Sequence, residues 1–392
     1  MFNKSETFSF AVKTLQGVEP LLADELISLG ATDVAAARRV VTCKGDKALM
    51  YRMNLMLRTA LRVLLPVEIF TALSPDELYV KAKRIPWEEL MLLDETFAID
   101  AHVQSDAYRH PHFAALRLKD AIADRFMEKF GRRPNVDTDD PTYRIDLLVR
   151  YDHVTISIDT SGYSLNRRGY RVSGGGAPLN EVLAAALVMF TGWTGDSDLH
   201  NPMCGSGTIA VEAALMAAHR SPHCGNKKFA FMNWRDFDEG LWNEIKLSEL
   251  QGHRVPSGRI YASDQSRSQV SLTGAHAKKA GVQDMIEFQE EDFFRLAPLT
   301  PSGVMIMNPP YGERMEESMD IPAFYREIGD ALKRNWKGTT AWIISSDIAA
   351  MKSIGLKPSK RIPLMNGALE CMYNAYELFA GNRAEFVKQK KS

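Results

Sequence analysis

Between Asn180 and Ile344 the chain alternates helical periods with short apolar runs. The apolar spacing predicts helices over Asn180–Phe190, Thr208–Ala218, Ser266–Ala280 and Pro322–Asn335. Strands are expected near Leu199 and over Ile260–Ala262, Ile286–Phe288, Val304–Met307 and Thr340–Ile344. Strands separated by helices do not pair as tight hairpins; each crossover sets the next strand parallel to an earlier one. This half of the chain is therefore confined to an open parallel α/β sheet. Ligands in such sheets bind beyond the carboxyl ends of the strands.

The first half has a different texture. Phe8–Val12, Arg58–Phe70 and Phe97–Val103 read as strands, and Ile145–Val149 with Val154–Ile158 reads as a hairpin across Tyr151-Asp152-His153. Gly17–Leu29 reads as a helix with Val18, Leu21, Leu22, Leu26 and Leu29 on one face and Gly30 as its stop. Phe113–Phe130 reads as a second, with Leu116, Ala121, Ile122 and Phe126 inward and Gly131 ending it. Ser161–Pro178 is rich in Gly, Arg and Ser, and Gly174-Gly175-Gly176 favours no regular structure, so a domain boundary is expected there.

Composition removes several classes. With 392 residues, 45% hydrophobic and 25% charged, the chain has the make-up of a two- or three-domain globular protein. No apolar run is long enough to span a bilayer, and Met1–Phe10 lacks a secretory pattern. Cys43, Cys204, Cys224 and Cys371 are far apart and form no CxxC pair. Neither a metal site nor a disulfide framework is expected, and a reducing cytoplasm fits. Net charge is −1, and residues 1–176 hold 24 basic and 24 acidic side chains. A polyanion would have to be met by local patches.

Four features fall at predicted strand ends. Asn201-Pro202-Met203-Cys204-Gly205-Ser206-Gly207-Thr208 joins a strand to a helix, where glycines admit a ligand close to the backbone. Such a turn also serves tight packing, and it lacks the Gly-Lys-Ser/Thr of a phosphate-binding loop. Asp264 ends the next strand, placed either to hold ribose hydroxyls or to cap the helix beginning near Ser266. Asp292 can accept from an adenine amino group with Phe293 against the ring, or sit in an ordinary acidic loop. Asn308-Pro309-Pro310-Tyr311 follows the run Val304–Met307. There an asparagine and a proline carbonyl can take both hydrogens of an exocyclic amine while a tyrosine stacks on its ring. Cys204 sits in the loop and away from this tip, so packing is expected of it. Glu212 either orients the loop or is a helix-surface carboxylate.

Glycine turn, ribose acid, adenine acid and Asn-Pro-Pro-Tyr, in that order, resemble a class I methyltransferase of the amino-methylating group, using S-adenosylmethionine. The whole chain resembles the bacterial THUMP-domain RNA methyltransferases of the large-subunit ribosomal RNA type. The likeness is to the N-terminal, guanine-N2-methylating part of methyltransferase L, and to stand-alone homologues labelled N6-adenine-specific DNA methylases. It is carried by Gly17–Leu22, Lys119–Ile122, Arg133-Pro134, Asp159–Gly162, Arg168–Arg171, Ala177–Glu181, Asn201–Thr208, Phe229–Phe231, Trp234, Trp242 and Asn308–Arg314.

The resemblance implies a ferredoxin-like segment over 1–65, a THUMP RNA-binding domain over 66–160, a linker over 161–178 and a Rossmann-like methyltransferase domain over 179–392 with a reversed final strand. It implies cofactor contacts from Asn201, Met203, Cys204, Gly205, Ser206, Gly207, Thr208, Asp264, Asp292, Phe293 and Asn308. Catalytic roles fall to Asn308, Pro309 and Tyr311. The implied partner is structured RNA: 23S ribosomal RNA or a large-subunit precursor. Basic residues that could meet it are Lys81, Lys83 and Arg84, then Arg132 and Arg133, then Arg167, Arg168 and Arg171, with Trp87, Tyr108, Tyr163 and Tyr170 interleaved; each cluster is equally readable as a solvated or salt-bridged face.

Asn-Pro-Pro-Tyr alone does not separate guanine N2 from adenine N6. A tRNA guanine, a DNA adenine and a non-catalytic role in ribosome assembly stay open, as does the oligomeric state. Methyltransferase L carries a second methyltransferase domain, whose modification is not expected of residues ending in Phe386 and the tail Lys388-Gln389-Lys390-Lys391. Lys360–Gly367 looks like the family's late hairpin, with Asn366-Gly367 as its turn.

Overall fold

The computed structural model describes residues 6–108, 110–172, 178–223, 227–298, 302–310 and 320–379. Gly174–Gly176, Ala177, Cys224, Tyr311, Arg314, Phe386 and the tail Lys388–Lys391 lie outside them. The chain divides into two compact units, one of residues 1–14, 23–165 and 226–246, the other of residues 15–22, 166–225 and 247–392.

In the first unit the elements are β1 (Phe8–Lys13), α1 (Glu19–Ser28), β2 (Thr32–Ala37), β3 (Val40–Gly45), α2 (Lys47–Met56), β4 (Arg62–Thr71), α3 (Pro75–Arg84), α4 (Trp87–Leu90), β5 (Phe97–Gln104), α5 (Pro111–Phe130), β6 (Tyr143–Arg150) and β7 (His153–Asp159). The first four residues of α1 count with the second unit. One mixed sheet runs in the order β2-β3-β1-β4-β7-β6-β5. β4 pairs with β1 through Arg62–Leu64 and with β7 through Leu64–Thr71, so the division expected at 65/66 falls inside a shared strand. The strand expected from Arg58 starts only at Arg62. The Glu25 carboxylate accepts from the amides of Arg58 and Thr59 at 2.8 and 3.0 Å and holds them in a turn. Leu116 is exposed, and Leu118 takes the inward place on α5. Ser74-Pro75-Asp76-Glu77, a legible start signal, opens α3 with Ser74 accepting from the Glu77 amide at 3.2 Å. Residues 227–246 add aromatic rings to this unit: Phe231 stacks on Tyr51 at 4.4 Å, Trp242 meets it edge-on, and Trp234 stacks on Tyr143.

The second unit carries α6 (Glu181–Thr191), β8 (Leu199–Pro202), α7 (Thr208–Ala217), the end of α8 (Glu239–Gln251), β9 (Ile260–Asp264), α9 (Arg267–Ala280), β10 (Ile286–Glu290), β11 (Gly303–Met307), α10 (Ile321–Asn335), β12 (Thr339–Ser345), β13 (Lys360–Asn366) and β14 (Leu369–Glu377). Its sheet order is β10-β9-β8-β11-β12-β14-β13. The first five strands are parallel; β14 runs antiparallel to β12 and forms the late hairpin with β13. The β11 side chains divide two cores. Ile306 packs with Leu183, Val211 and Ala277 on one face, and Met305 and Met307 pack with Ile328 and Leu332 of α10 on the other. Val18 is buried in the first of these cores. Strand order reverses between β8 and β11, which opens the crevice where such sheets hold ligands. No described helix is long and apolar enough to cross a membrane.

Candidate functional site

The expected strand-end residues of the second unit line up at this reversal. Asn201, the penultimate residue of β8, is 1% exposed and donates from Nδ2 to the carbonyl oxygen of Ile306 on β11 at 2.9 Å. Its Oδ1 is buried with no hydrogen-bond partner among the described residues.

The loop after β8 turns through left-handed backbone at Met203, Gly205 and Gly207, with φ of 52°, 53° and 73°. A methyl group on Gly207 would lie 2.2 Å from Thr273 Cγ2, so glycine there is a packing requirement, whereas beside Gly205 the space is open within 4 Å. Helix α9 holds the loop's carbonyls. Thr273 Oγ1 donates to Gly205 O at 2.9 Å, and His276 Nδ1 donates to Ser206 O at 2.8 Å. The sequence reading missed both residues; their i, i+3 spacing puts them on one helix face, but nothing local says what that face meets. Cys204 lies 3.6 Å from the Thr273 hydroxyl, and burial pushes its thiol up to about 12. It is a neutral packing group at physiological pH. Ser206 and Thr208 share a weak hydroxyl contact at 3.5 Å, and Thr208 is buried at the start of α7.

Asp264 is not the cap of α9, whose N-cap position is Ser266; it ties the turn before that helix to the glycine loop. One carboxylate oxygen accepts from the Ser266 amide at 2.9 Å, the other from the Gly205 amide at 3.0 Å. It thereby joins the end of β9 to the glycine loop, and each oxygen keeps a second lone pair for a ligand. Asp292, half-buried after β10, accepts from the Phe294 amide at 3.0 Å. Phe293 differs from expectation. Its ring is 3% exposed and stacks on Trp336 at 6.3 Å, inside the core between β11 and α10, because the turn after Asp292 directs it inward.

Asn308 and Pro309 follow β11 directly. Asn308 Oδ1 is buried and has no hydrogen-bond partner among the described residues, and Pro309 is buried. Below the loop, Glu212 is wholly buried on α7. It accepts from the Tyr170 hydroxyl at 3.0 Å and pairs with Arg168 Nε at 3.4 Å, both side chains 0% exposed. Glu212 is therefore no surface carboxylate, and Arg168 no RNA contact: its guanidinium is spent inside the fold. Arg171 is tied to Glu181 and the Leu179 carbonyl, while Arg167 is exposed.

The other basic residues belong to the first unit. Lys81 donates to the Thr71 carbonyl at 2.5 Å, Lys83 pairs with Glu128, and Arg84 is exposed. Arg132 and Arg133 pair with Asp94 and Asp124 at 3.3 and 2.8 Å, all with substantial exposure. Trp87, Tyr108 and Tyr170 are buried, so they offer no stacking surface, and Tyr163 stacks on Phe229 with Lys227 over its ring at 4.1 Å.

Residues 168–375 match the RMKL-like methyltransferase domain, residues 73–159 the THUMP domain and residues 9–64 the RlmL ferredoxin-like domain. The chain is 37% identical to a provisionally named RNA methyltransferase of Synechocystis, over 93% of this chain and 95% of that one. It is 38% identical to ribosomal RNA large subunit methyltransferase K/L of Syntrophotalea carbinolica, over 91% of this chain but 52% of the relative; it spans about half that protein's length. A solved structure, a provisionally named methyltransferase in complex with S-adenosylhomocysteine, superposes with a TM-score of 0.88 at 26% identity, covering 96% of this chain and 100% of the other.

Proposed function

The chain belongs to the RMKL-like methyltransferase family, and from that premise we propose that it transfers a methyl group from S-adenosylmethionine to the exocyclic N2 amine of a guanine in 23S ribosomal RNA. The observation that carries this reading is the buried side-chain Oδ1 of Asn308, just past the end of a switch-point strand, which has no hydrogen-bond partner among the described residues. A buried acceptor left unpaired costs roughly 1–3 kcal/mol. A donor on an incoming amine offsets that cost only when substrate is in place.

The residues around the glycine loop fit the cofactor. Open space beside Gly205 admits a ligand against the backbone, with Asn201, Met203, Cys204, Ser206, Gly207 and Thr208 shaping the rest of the cradle. Asp264 has lone pairs free for ribose hydroxyls and Asp292 for an adenine amino group. Of the residues expected at this site, Phe293 alone is set aside.

S-adenosylmethionine supplies an electrophilic methyl group on a sulfonium sulfur. An aromatic amine is a weak nucleophile because its lone pair is delocalised into the ring. Asn308 Oδ1 and the Pro309 carbonyl accept its two N–H groups, which turns the lone pair toward the methyl carbon. The same oxygens stabilise the positive charge growing on nitrogen, and in-line positioning supplies much of the rate. One N–H proton is then lost to water. Tyr311 stacks on the base, which must be unpaired or flipped to reach the tip. Lys81, Lys83, Arg84, Arg132 and Arg133 offer cations to the RNA, within the cytoplasm.

The test is Asn308→Ala. Calorimetry should find S-adenosylmethionine binding retained, while label transfer to 23S ribosomal RNA from a strain lacking the protein falls at least a hundredfold. Undiminished transfer would overturn the mechanism. Mass spectrometry of the nucleosides should find N2-methylguanine; N6-methyladenine in duplex DNA would replace the substrate.

A further inference from the structure

The segment from Arg326 to Arg361 holds eight basic and three acidic residues, in a chain whose net charge is −1. Six of these cations stand on α10 and on the segments that follow it, whereas Lys360 lies over the Trp342 ring at 5.8 Å, toward the other core. On α10 the inward residues are Tyr325, Ile328, Gly329 and Leu332. Arg326 and Lys333 follow one stripe beside that face, seven residues apart, and Lys337 extends it past the helix end. The turn Ala350–Ile354 packs against the same side: a methyl group on Gly329 would strike the Ile354 carbonyl at 1.9 Å, and one on Gly355 would lie 3.3 Å from Lys333 Nζ. That brings the turn carrying Lys352, and Gly355 two residues before Lys357, against the Lys333 side of α10. Arg361 on β13 lies close enough to Tyr376 to oppose the rise in its pKa, and Tyr376 belongs to the core beneath α10.

Arg326, Lys333, Lys337, Lys352, Lys357 and Arg361 are exposed. Among the described residues only Lys333 of these six forms an ion pair, with Asp330 at 3.2 Å. The rows in the first unit are different: Lys83, Arg132 and Arg133 each face a carboxylate. The other five of the six have no ion-pair partner among the described residues, and exposed like charges within about a Debye length of each other, roughly 8–10 Å, repel. A linear polyanion relieves that repulsion by lying along the ridge.

We infer that this flank of the methyltransferase unit is a second RNA-binding surface, a ridge that holds the phosphate backbone of the substrate beyond the flipped base. The inference rests on the reading that the substrate is RNA. Contacts of this kind go to phosphate and position the duplex without reading sequence.

The test uses the full chain and unmodified 23S ribosomal RNA transcribed in vitro, with filter binding from 50 to 300 mM salt. The variant K333Q/K337Q/K352Q/K357Q should bind at least tenfold more weakly. Its plot of log affinity against log salt should be shallower by about 2–4, near 0.7–0.9 for each phosphate that is no longer neutralised. The Lys→Arg counterpart at the same positions should bind like the parent. Melting temperature and S-adenosylmethionine affinity should match the parent in both. Tight binding by the glutamine variant with the parent's slope overturns the ridge and leaves the functional reading standing. A parent chain that binds no RNA overturns both.

Discussion

Asn201 reaches from the end of β8 to the main-chain carbonyl of Ile306, 2.9 Å away and two residues before Asn308. The strand that opens the cofactor loop is thereby clamped to the strand that presents the amine acceptors. Asn201→Asp removes the donor and sets a carboxylate against a carbonyl. We predict a loss of about 1–3 kcal/mol in urea unfolding, of the order expected for an unpaired buried group. A drop in kcat at saturating S-adenosylmethionine should accompany it. A variant with parental kcat would show that the clamp is only structural.

Gly205 and Gly207 differ in what surrounds them. Gly207→Ala combines left-handed strain with a clash on Thr273; Gly205→Ala carries the strain into open space. Gly207→Ala should lose both stability and cofactor affinity. Gly205→Ala should lose about 1–2 kcal/mol of stability at most, with its larger effect on cofactor affinity, because the added methyl occupies the ligand's approach. Paired denaturant melts and calorimetry separate the two.

The buried pair Arg168–Glu212 should behave as a unit. Arg168→Met alone strands a buried carboxylate and is expected to cost about 3–5 kcal/mol, and Arg168→Met with Glu212→Met to recover a good part of it. A double-mutant cycle by chemical denaturation measures the difference. Additive losses would mean that the two charges do not support each other.

His200 on β8 is stacked on Tyr261 at 4.9 Å and edge-on to Trp336 at 5.0 Å. Burial lowers its pKa from the ordinary 6.5 to about 4. The unfolded chain therefore takes up a proton between those values that the folded chain refuses. Its contribution to stability is present above pH 6.5 and is lost as pH falls toward 4. The parent should lose ~2 kcal/mol more than His200→Phe on going from pH 7 to pH 5. Equal losses in urea melts at the two pH values would exclude the effect.

Much of this molecule could be read from local pattern. The helix–strand alternation after Asn180, the glycine stops at Gly30 and Gly131 and the Asn366-Gly367 turn are all short-range signals, and each stands where it was expected. The strand-end placement of Asn201, Asp264 and Asn308 follows from the same alternation. What failed were inferences about direction and surroundings. Phe293 has a ligand-side position by spacing and a core position by packing. Arg168 sits in a basic run, yet its partner is Glu212, forty-four residues away on α7.

The amino-acid sequence by itself determined the kinds of elements, the order of the strand-end motifs and the chemistry their side chains can do, because backbone propensity and apolar period act within a few residues. Only the tertiary structure decided which carbonyls stay unpaired, which cations are neutralised and which helix braces the glycine loop. Those outcomes depend on burial and on partners distant in the chain, such as Thr273 and His276 for Gly205 and Ser206.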